Sequence, residues 1–253
     1  MVEKRKTTLS PLPLLKLKPA SAPALFLKRI RILTLFCLLF PGAETAYAEE
    51  ILFSEDFQDG IIGEQWTFFG DPTSIINQEK GNPPPSFCNN GDSMYGSGVC
   101  SRETFSIEQG LVILCDLFVT CHPRGSWVDD RFYICDAGTI ERGQEPPCLI
   151  GMSFAFLGEL NWSAPHLQGV LGQHISRHRI PQIIHANHWL DGWHTFKIEI
   201  TPEGLCSFMI DDSLLSSHQT LLQDSVDRVG IVLSGRSTSW GIALQDNLLV
   251  YVP

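Results

Sequence analysis

Lysine is almost missing from most of this 253-residue chain: beyond residue 48 only Lys80 and Lys197 occur. Of the 18 basic and 28 acidic residues, the first 48 positions hold eight and two, which leaves a net charge of about −16 on the remainder. A surface so acidic repels phosphate backbones and anionic lipid, which excludes nucleic acid and a membrane surface as partners. Neutral sugars, cations and basic proteins remain. Long apolar runs are also lacking. Residues 32–40 (Ile-Leu-Thr-Leu-Phe-Cys-Leu-Leu-Phe) make up about half of the ~20 residues a spanning helix needs, and nothing later is both long enough and uncharged, so no membrane insertion is expected of the mature chain.

No two cysteines stand in a Cys-x-x-Cys pair, which disfavours a zinc knuckle or a thioredoxin-type site. No helical periodicity runs beyond about two turns. No internal repeat or long linker divides the chain. What is left is short, turn-bounded, strand-like segments.

The first 48 residues carry the three parts of a secretion signal. Lys28, Arg29 and Arg31 precede the apolar run, and Ala46-Tyr47-Ala48 supplies a small-x-small cleavage pattern. The stretch ahead of Lys28 is long and holds Pro11, Pro13, Pro19 and Pro23. Residues 1–48 are therefore read as a cleaved signal peptide and 49–253 as one domain that works in a secreted, periplasmic or extracellular setting. An N-terminal anchor that is never cleaved is the alternative. Seven cysteines follow residue 48, and an oxidising compartment favours pairing some of them. Cys88 with Cys100 and Cys135 with Cys148 are the expected disulfides, since each would close a short loop rich in Gly, Pro or Asn between strands.

Candidate strands lie at 51–57, 103–107, 111–120, 130–135, 149–157, 193–201, 205–211, 228–234 and 241–252. Residues 193–201 alternate, with Phe196, Ile198 and Ile200 on one side and Lys197, Glu199 and Thr201 on the other, as a strand with one wet face does. Residues 111–115 are apolar on both sides and fit the middle of a sheet covered on both faces. Without βαβ alternation the prediction is all-β, a two-sheet antiparallel β-sandwich or jelly roll. Residues 158–192 form the longest stretch without a strand pattern, and loops of that length tend to be functional.

Several segments resemble one superfamily. They are Trp193-His194-Thr195-Phe196-Lys197-Ile198-Glu199-Ile200, then Pro202-Glu203-Gly204, Phe208-Met209-Ile210-Asp211-Asp212 and Gln245-Asp246-Asn247-Leu248-Leu249-Val250-Tyr251, with the opening Leu52-Phe53-Ser54-Glu55-Asp56-Phe57-Gln58-Asp59-Gly60 and Trp66. They resemble the ends of concanavalin A-like lectin/glucanase (laminin-G-like) jelly rolls, over about 40% of the mature chain. Where that superfamily usually has Asp-Gly in the late hairpin, this chain has Asp211-Asp212. The resemblance implies two bent sheets, a carbohydrate-binding concave face in many members, and a structural calcium held here by Asp246 with Glu55 or Asp56.

The chemistry of such a site depends on carboxylate spacing. Enzymes of this fold place catalytic acids on alternate positions of one strand, as Glu-x-Asp-x-x-Glu or Glu-x-Asp-x-Glu, and no such string occurs. Inward strand positions hold Ile150, Met152, Phe154 and Phe156, or isolated acids such as Asp116. A pair assembled from two strands, Asp130 with Glu159, keeps catalysis open. His174 with His178 and His185 with His188 crowd the long loop, yet there is no His-Glu-x-x-His motif and a polar loop is the plainer reading. Sugar grooves combine a Trp face with planar polar groups. Trp127 with Asp129, Asp130 and Arg131, then Trp162, and Arg236 with Trp240, are the carbohydrate-binding candidates, while Trp66, Trp189 and Trp193 are read as structural. Asn161-Trp162-Ser163 fits the N-glycosylation pattern. Three functions follow: a non-catalytic lectin-like domain for carbohydrate or a carbohydrate-bearing surface, a glycoside hydrolase of the same fold with atypical carboxylates, or a protein-binding adhesion module.

Overall fold

The computed structural model describes residues 49–70, 74–90, 97–119, 127–141, 143–157, 166–171, 182–185, 192–237 and 242–253. The chain divides into two units, 1–46 and 47–253, and the described residues all belong to the second. In chain order the strands are β1 (Glu50–Glu55), β2 (Trp66–Phe69), β3 (Ser74–Asn77), β4 (Ser86–Asn90), β5 (Ser97–Ser101), β6 (Phe105–Ser106), β7 (Leu111–Val119) and β8 (Trp127–Asp136). Then come β9 (Ile150–Leu157), β10 (His166–Leu171), β11 (Gln182–His185), β12 (Gly192–Ile200), β13 (Leu205–Ile210), β14 (Ser213–Gln219), the short helix α1 (Leu222–Ser225), β15 (Arg228–Ser237) and β16 (Ile242–Val252).

All these strands pair antiparallel, in two sheets. Sheet A runs β14-β13-β12-β7-β16-β4-β3, and β1 also pairs with β16. Sheet B runs β11-β10-β9-β8-β15-β5-β2, and β6 also pairs with β15. Apolar residues on alternate positions define the space between them. Sheet A contributes Leu111, Ile113, Cys115 and Leu117 from β7 and Phe196, Ile198 and Ile200 from β12, and sheet B contributes Phe132, Ile134, Ile150, Met152, Ile231 and Leu233. Each such side chain stabilises the fold by roughly 1.5–3 kcal/mol when taken fully out of water. The wet side of β12 is as the alternation requires: Thr195, Lys197 and Glu199 are half-buried.

Two aromatic anchors behave as the sequence implies. Trp66 is buried, stands edge-on to Phe53 at 5.6 Å and donates its indole N–H to Glu55 Oε2 at 3.0 Å. Trp193 packs edge-on against Phe118 at 5.4 Å.

Other expectations are corrected. Residues 158–192 are not without strands, because β10 and β11 extend sheet B through them. The turn at Asp211-Asp212 holds both residues at positive φ, 48° and 63°, the twist a two-residue type I′ hairpin needs, so two aspartates do the work of Asp-Gly. Neither expected disulfide is present among the described residues. Cys88 lies on β4 of sheet A and Cys100 on β5 of sheet B, and all six cysteines among the described residues are free thiols, Cys135 and Cys148 included. Burial is the main force that pushes the Cys88 and Cys148 thiols up to about 12, which keeps them protonated and unreactive.

Candidate functional site

Adjacent central strands of sheet B hold several of the sequence candidates at neighbouring register positions. Phe132 and Ile134 of β8 point into the core, so Arg131 and Tyr133 belong to the opposite face. Cross-strand partners share a face. Arg131 pairs with Ser234 of β15 and Ser153 of β9, while Asp129 pairs with Arg236 and Ala155. The row through Arg131 continues to Gln168, and the row through Asp129 to His166, which pairs with His185 of β11. Asp129, Arg131 and Arg236 thus hold neighbouring register positions, with Trp127 two residues further along β8. Trp162 and Trp240 lie outside the described residues, as do Glu159, His174, His178, His188 and Trp189.

Arg131 is the best-defined member. It ion-pairs with Glu145, its Nε donates to Ser234 Oγ at 3.3 Å, and its guanidinium lies 5.6 Å from the Tyr133 ring centre. Tyr133 Oη donates to Pro146 O at 3.1 Å and lies 3.3 Å from Glu145 Oε1. This network ties the β8–β9 connection down over its own sheet. Both members of the ion pair keep about a quarter of their side chains exposed, 22% and 26%, and so present a planar guanidinium beside a carboxylate to solvent. Tyr133 stays a neutral hydroxyl, its ionisation suppressed mainly by burial and then by the Glu145 charge.

Asp130 is elsewhere. Its parity along β8 is that of Phe132, and it is 0% exposed between the sheets. There Gln245 of β16 reaches across from sheet A, its Nε2 donating to Asp130 Oδ1 at 2.5 Å, Arg131 O at 2.7 Å and Ser234 O at 3.1 Å. Asp130 is therefore an interior cross-sheet tie rather than a ligand-contacting acid.

A second polar constellation sits on the face of sheet A turned away from the core. Asp246 and Asp116 are cross-strand partners on β16 and β7, 0% and 7% exposed. Asp246 accepts from the main-chain N–H of Asn82 at 2.6 Å and of Asn247 at 2.9 Å. Asp116 accepts from Thr195 Oγ1 at 2.6 Å and from the side-chain amides of Asn247 at 2.9 Å and Asn82 at 3.1 Å. Asn247, at φ 48°, sits in the bulge that shifts the register of β16 on β7. Burial drives the Asp246 carboxyl up to about 6, opposed by the two N–H donors and reinforced by Asp116 and Asp56.

Of the metal candidates, Asp246 and Asp56 are electrostatic neighbours, whereas Glu55 is committed elsewhere. Its two oxygens accept from Phe57 N at 2.9 Å, Gln65 Nε2 at 2.5 Å and Trp66 Nε1. Asp116 replaces it beside Asp246. The sequence reading placed Asp116 as an isolated inward acid, yet it shares neither the parity nor the environment of Leu117. Among the described residues no group of three or more His, Cys, Asp and Glu is preassembled around a metal position. His194 lies 2.7 Å from Asp211 through its Nδ1.

No protein-family model matches the sequence, and no curated protein does. Solved structures do match, at 8–12% identity. The globular domain of T. cruzi calreticulin has a TM-score of 0.56 at 10% identity, over 80% of this chain and 88% of its own. The endo-β-1,3-glucanase from Pyrococcus furiosus has 0.53 at 12%, over 81% and 94%. The carbohydrate recognition domain of Emp47p has 0.53 at 8%, over 80% and 97%. Two antiparallel sheets with the first and last strands paired define an all-β sandwich of the jelly-roll class. Its fold is the one these three solved domains share.

Proposed function

We propose that residues 49–253, released by removal of a signal peptide spanning 1–48, act outside the cytoplasm as a lectin-like domain that binds carbohydrate, or a carbohydrate-bearing surface, on the outer face of sheet B without turning it over. The observation that carries this reading is the Arg131–Glu145 pair, about a quarter exposed, which joins β8 to the β8–β9 connection beside Ser234 and Tyr133. Paired planar groups of this kind match vicinal sugar hydroxyls, and Trp127, Asp129 and Arg236 hold nearby register positions. Solved domains of the same fold include a carbohydrate recognition domain and a glucanase. Retaining hydrolysis needs two carboxyl groups ~5 Å apart and inverting hydrolysis roughly 6.5–9.5 Å. Glu145 is held by Arg131 and Asp130 is interior, which favours binding over catalysis. The described residues include no helix long and apolar enough to cross a membrane.

We also propose a structural calcium at Asp246 and Asp116. Two buried carboxylates lie side by side and, among the described residues, have no basic group as a hydrogen-bond partner, and Asn82 O and the Asp56 carboxylate are at hand to complete an all-oxygen shell. A bound cation would supply the missing positive charge and pin the 78–85 segment to β16.

The test of the first proposal is a glycan array probed with the mature domain, with and without calcium, followed by calorimetry on the best ligand. Arg131→Ala and Trp127→Ala are each expected to weaken binding at least tenfold with the melting temperature little changed. Absence of any saturable glycan binding would overturn the reading.

A further inference from the structure

Three of the described thiols gather on the outer face of sheet B, beside the polar network. Cys100, on β5, and Cys135, on β8, form a small apolar cluster with Phe69, Tyr133 and Val232, and Ile140 and Cys148 pack against it. The two cysteines are 1% and 0% exposed, with their sulfurs 3.8 Å apart. They meet because Gly230 of β15 lies beneath them: a Cβ there would come within 3.4 Å of both sulfurs. Their other partners are weak, Ser101 O for Cys100 and Gly230 O for Cys135, each at 3.7 Å.

A disulfide does not suit this pair. With β15 between β5 and β8 the two backbones are separated by two strand spacings, about 9–10 Å. Bridged residues have Cα atoms about 4.4–6.8 Å apart, and the sulfurs would have to close by about 1.8 Å. That move drags two central strands over a third. The opposite move is small. Two thiolates each ~2.3 Å from one ion stand about 4.6 Å apart when in line, and closer when the bridge is bent. The observed 3.8 Å already lies in the bent range.

We propose that Cys100 and Cys135 form a two-thiolate site for a soft monovalent cation of the Cu(I) or Ag(I) type. Thiolates select such ions, and two ligands satisfy them, whereas zinc wants four. Binding breaks two S–H bonds, forms two sulfur–metal bonds and releases two protons to solvent, with no change of oxidation state. The β8–β9 connection, which carries Cys148 over the pair, is the cover that must lift for the ion to enter.

Silver(I) is the probe, added to the protein as recovered from its host. Native mass spectrometry is expected to show one ion held per chain, with two protons released into weakly buffered solution. X-ray absorption at the silver edge should find two sulfur neighbours and no nitrogen or oxygen. Cys100→Ser/Cys135→Ser should lose that ion, and Cys88→Ser/Cys206→Ser should retain it. Retention by the first double variant, nitrogen or oxygen in the shell, or a Cys100–Cys135 linked peptide recovered without reduction would each overturn the proposal. Because absorption is measured on the unaltered protein, misfolding of a variant leaves the decision intact.

Discussion

Asp246 enters the native state at a disadvantage, buried beside Asp116 with a carboxyl pushed up to about 6 from an ordinary value near 3.8. Because the folded value is the higher one, the stability this group contributes is full below about pH 4 and is lost as pH rises through about 6. A rise of that size amounts to about 3 kcal/mol. Urea unfolding between pH 4 and 7 is expected to show that decline, and Asp246→Asn is expected to flatten it. A slope unchanged in the variant would assign the effect to another group. Calcium binds only the ionised carboxylate, so at pH 7 excess calcium should raise the melting temperature over chelator, and below pH 5 the difference should shrink. Equal melting at pH 7 in both conditions would remove the calcium proposal. Gln245 carries the complementary lesson about burial. Its amide nitrogen, with two N–H to give, lies within hydrogen-bond reach of three acceptors, so Gln245→Met, close in shape, should cost about 3 kcal/mol in urea titration. A loss under 1 kcal/mol would mean that the cross-sheet tie is not structural.

At the scale of strands, what the sequence disclosed depended on how strongly each segment alternates. β12 and β13 were legible because Phe196, Ile198, Ile200, Cys206, Phe208 and Ile210 leave one apolar face, and the structure buries all six. β2, β3 and β4 are only four or five residues long and carry no such stripe, so their pairing depends on neighbours distant in sequence. β8 misled for a different reason. Both of its faces are half apolar, with Phe132 and Ile134 against Tyr133 and Cys135, so nothing local said that Asp130 faces inward and Arg131 outward. That assignment needs Gln245, which comes from the other sheet. Glu145 and Tyr133 were missed because a connection folding back over its own sheet leaves no periodic signal. β5 offers a test of the packing. A Cβ at Gly98 would lie 2.1 Å from Leu233 O and 2.9 Å from Phe69 Cζ, where neither backbone nor ring can yield cheaply. Gly98→Ala should therefore lower stability by about 3 kcal/mol, the upper range of overpacking. Unchanged unfolding would show that sheet B relaxes more easily than its register implies.

For the whole molecule the question is whether an acidic sandwich, exported as proposed, merely holds a carbohydrate or also cleaves it. Export itself makes a simple prediction: intact mass of protein recovered from the host should place the N-terminus at Glu49, and persistence of residues 1–48 would refute cleavage. Catalysis demands more. One carboxyl must stay protonated near neutrality while its partner remains ionised, at a fixed separation across the sugar. On the outer face of sheet B Glu145 is engaged by the Arg131 guanidinium and lies beside the Tyr133 hydroxyl. A catalytic acid instead has to stand free to reach a leaving group. The interior position of Asp130 withdraws it from the pairing with Glu159 that the sequence left open. Incubating the mature domain with β-glucans, galactans and glycosaminoglycans should thus release no reducing ends, even for the glycan it binds best. Release that disappears in Glu145→Gln or Asp129→Asn, with binding retained, would replace the lectin reading with that of a hydrolase whose carboxylates come from separate strands. Saturable binding lost in Arg131→Ala with no release in any variant would leave recognition as the function of this face.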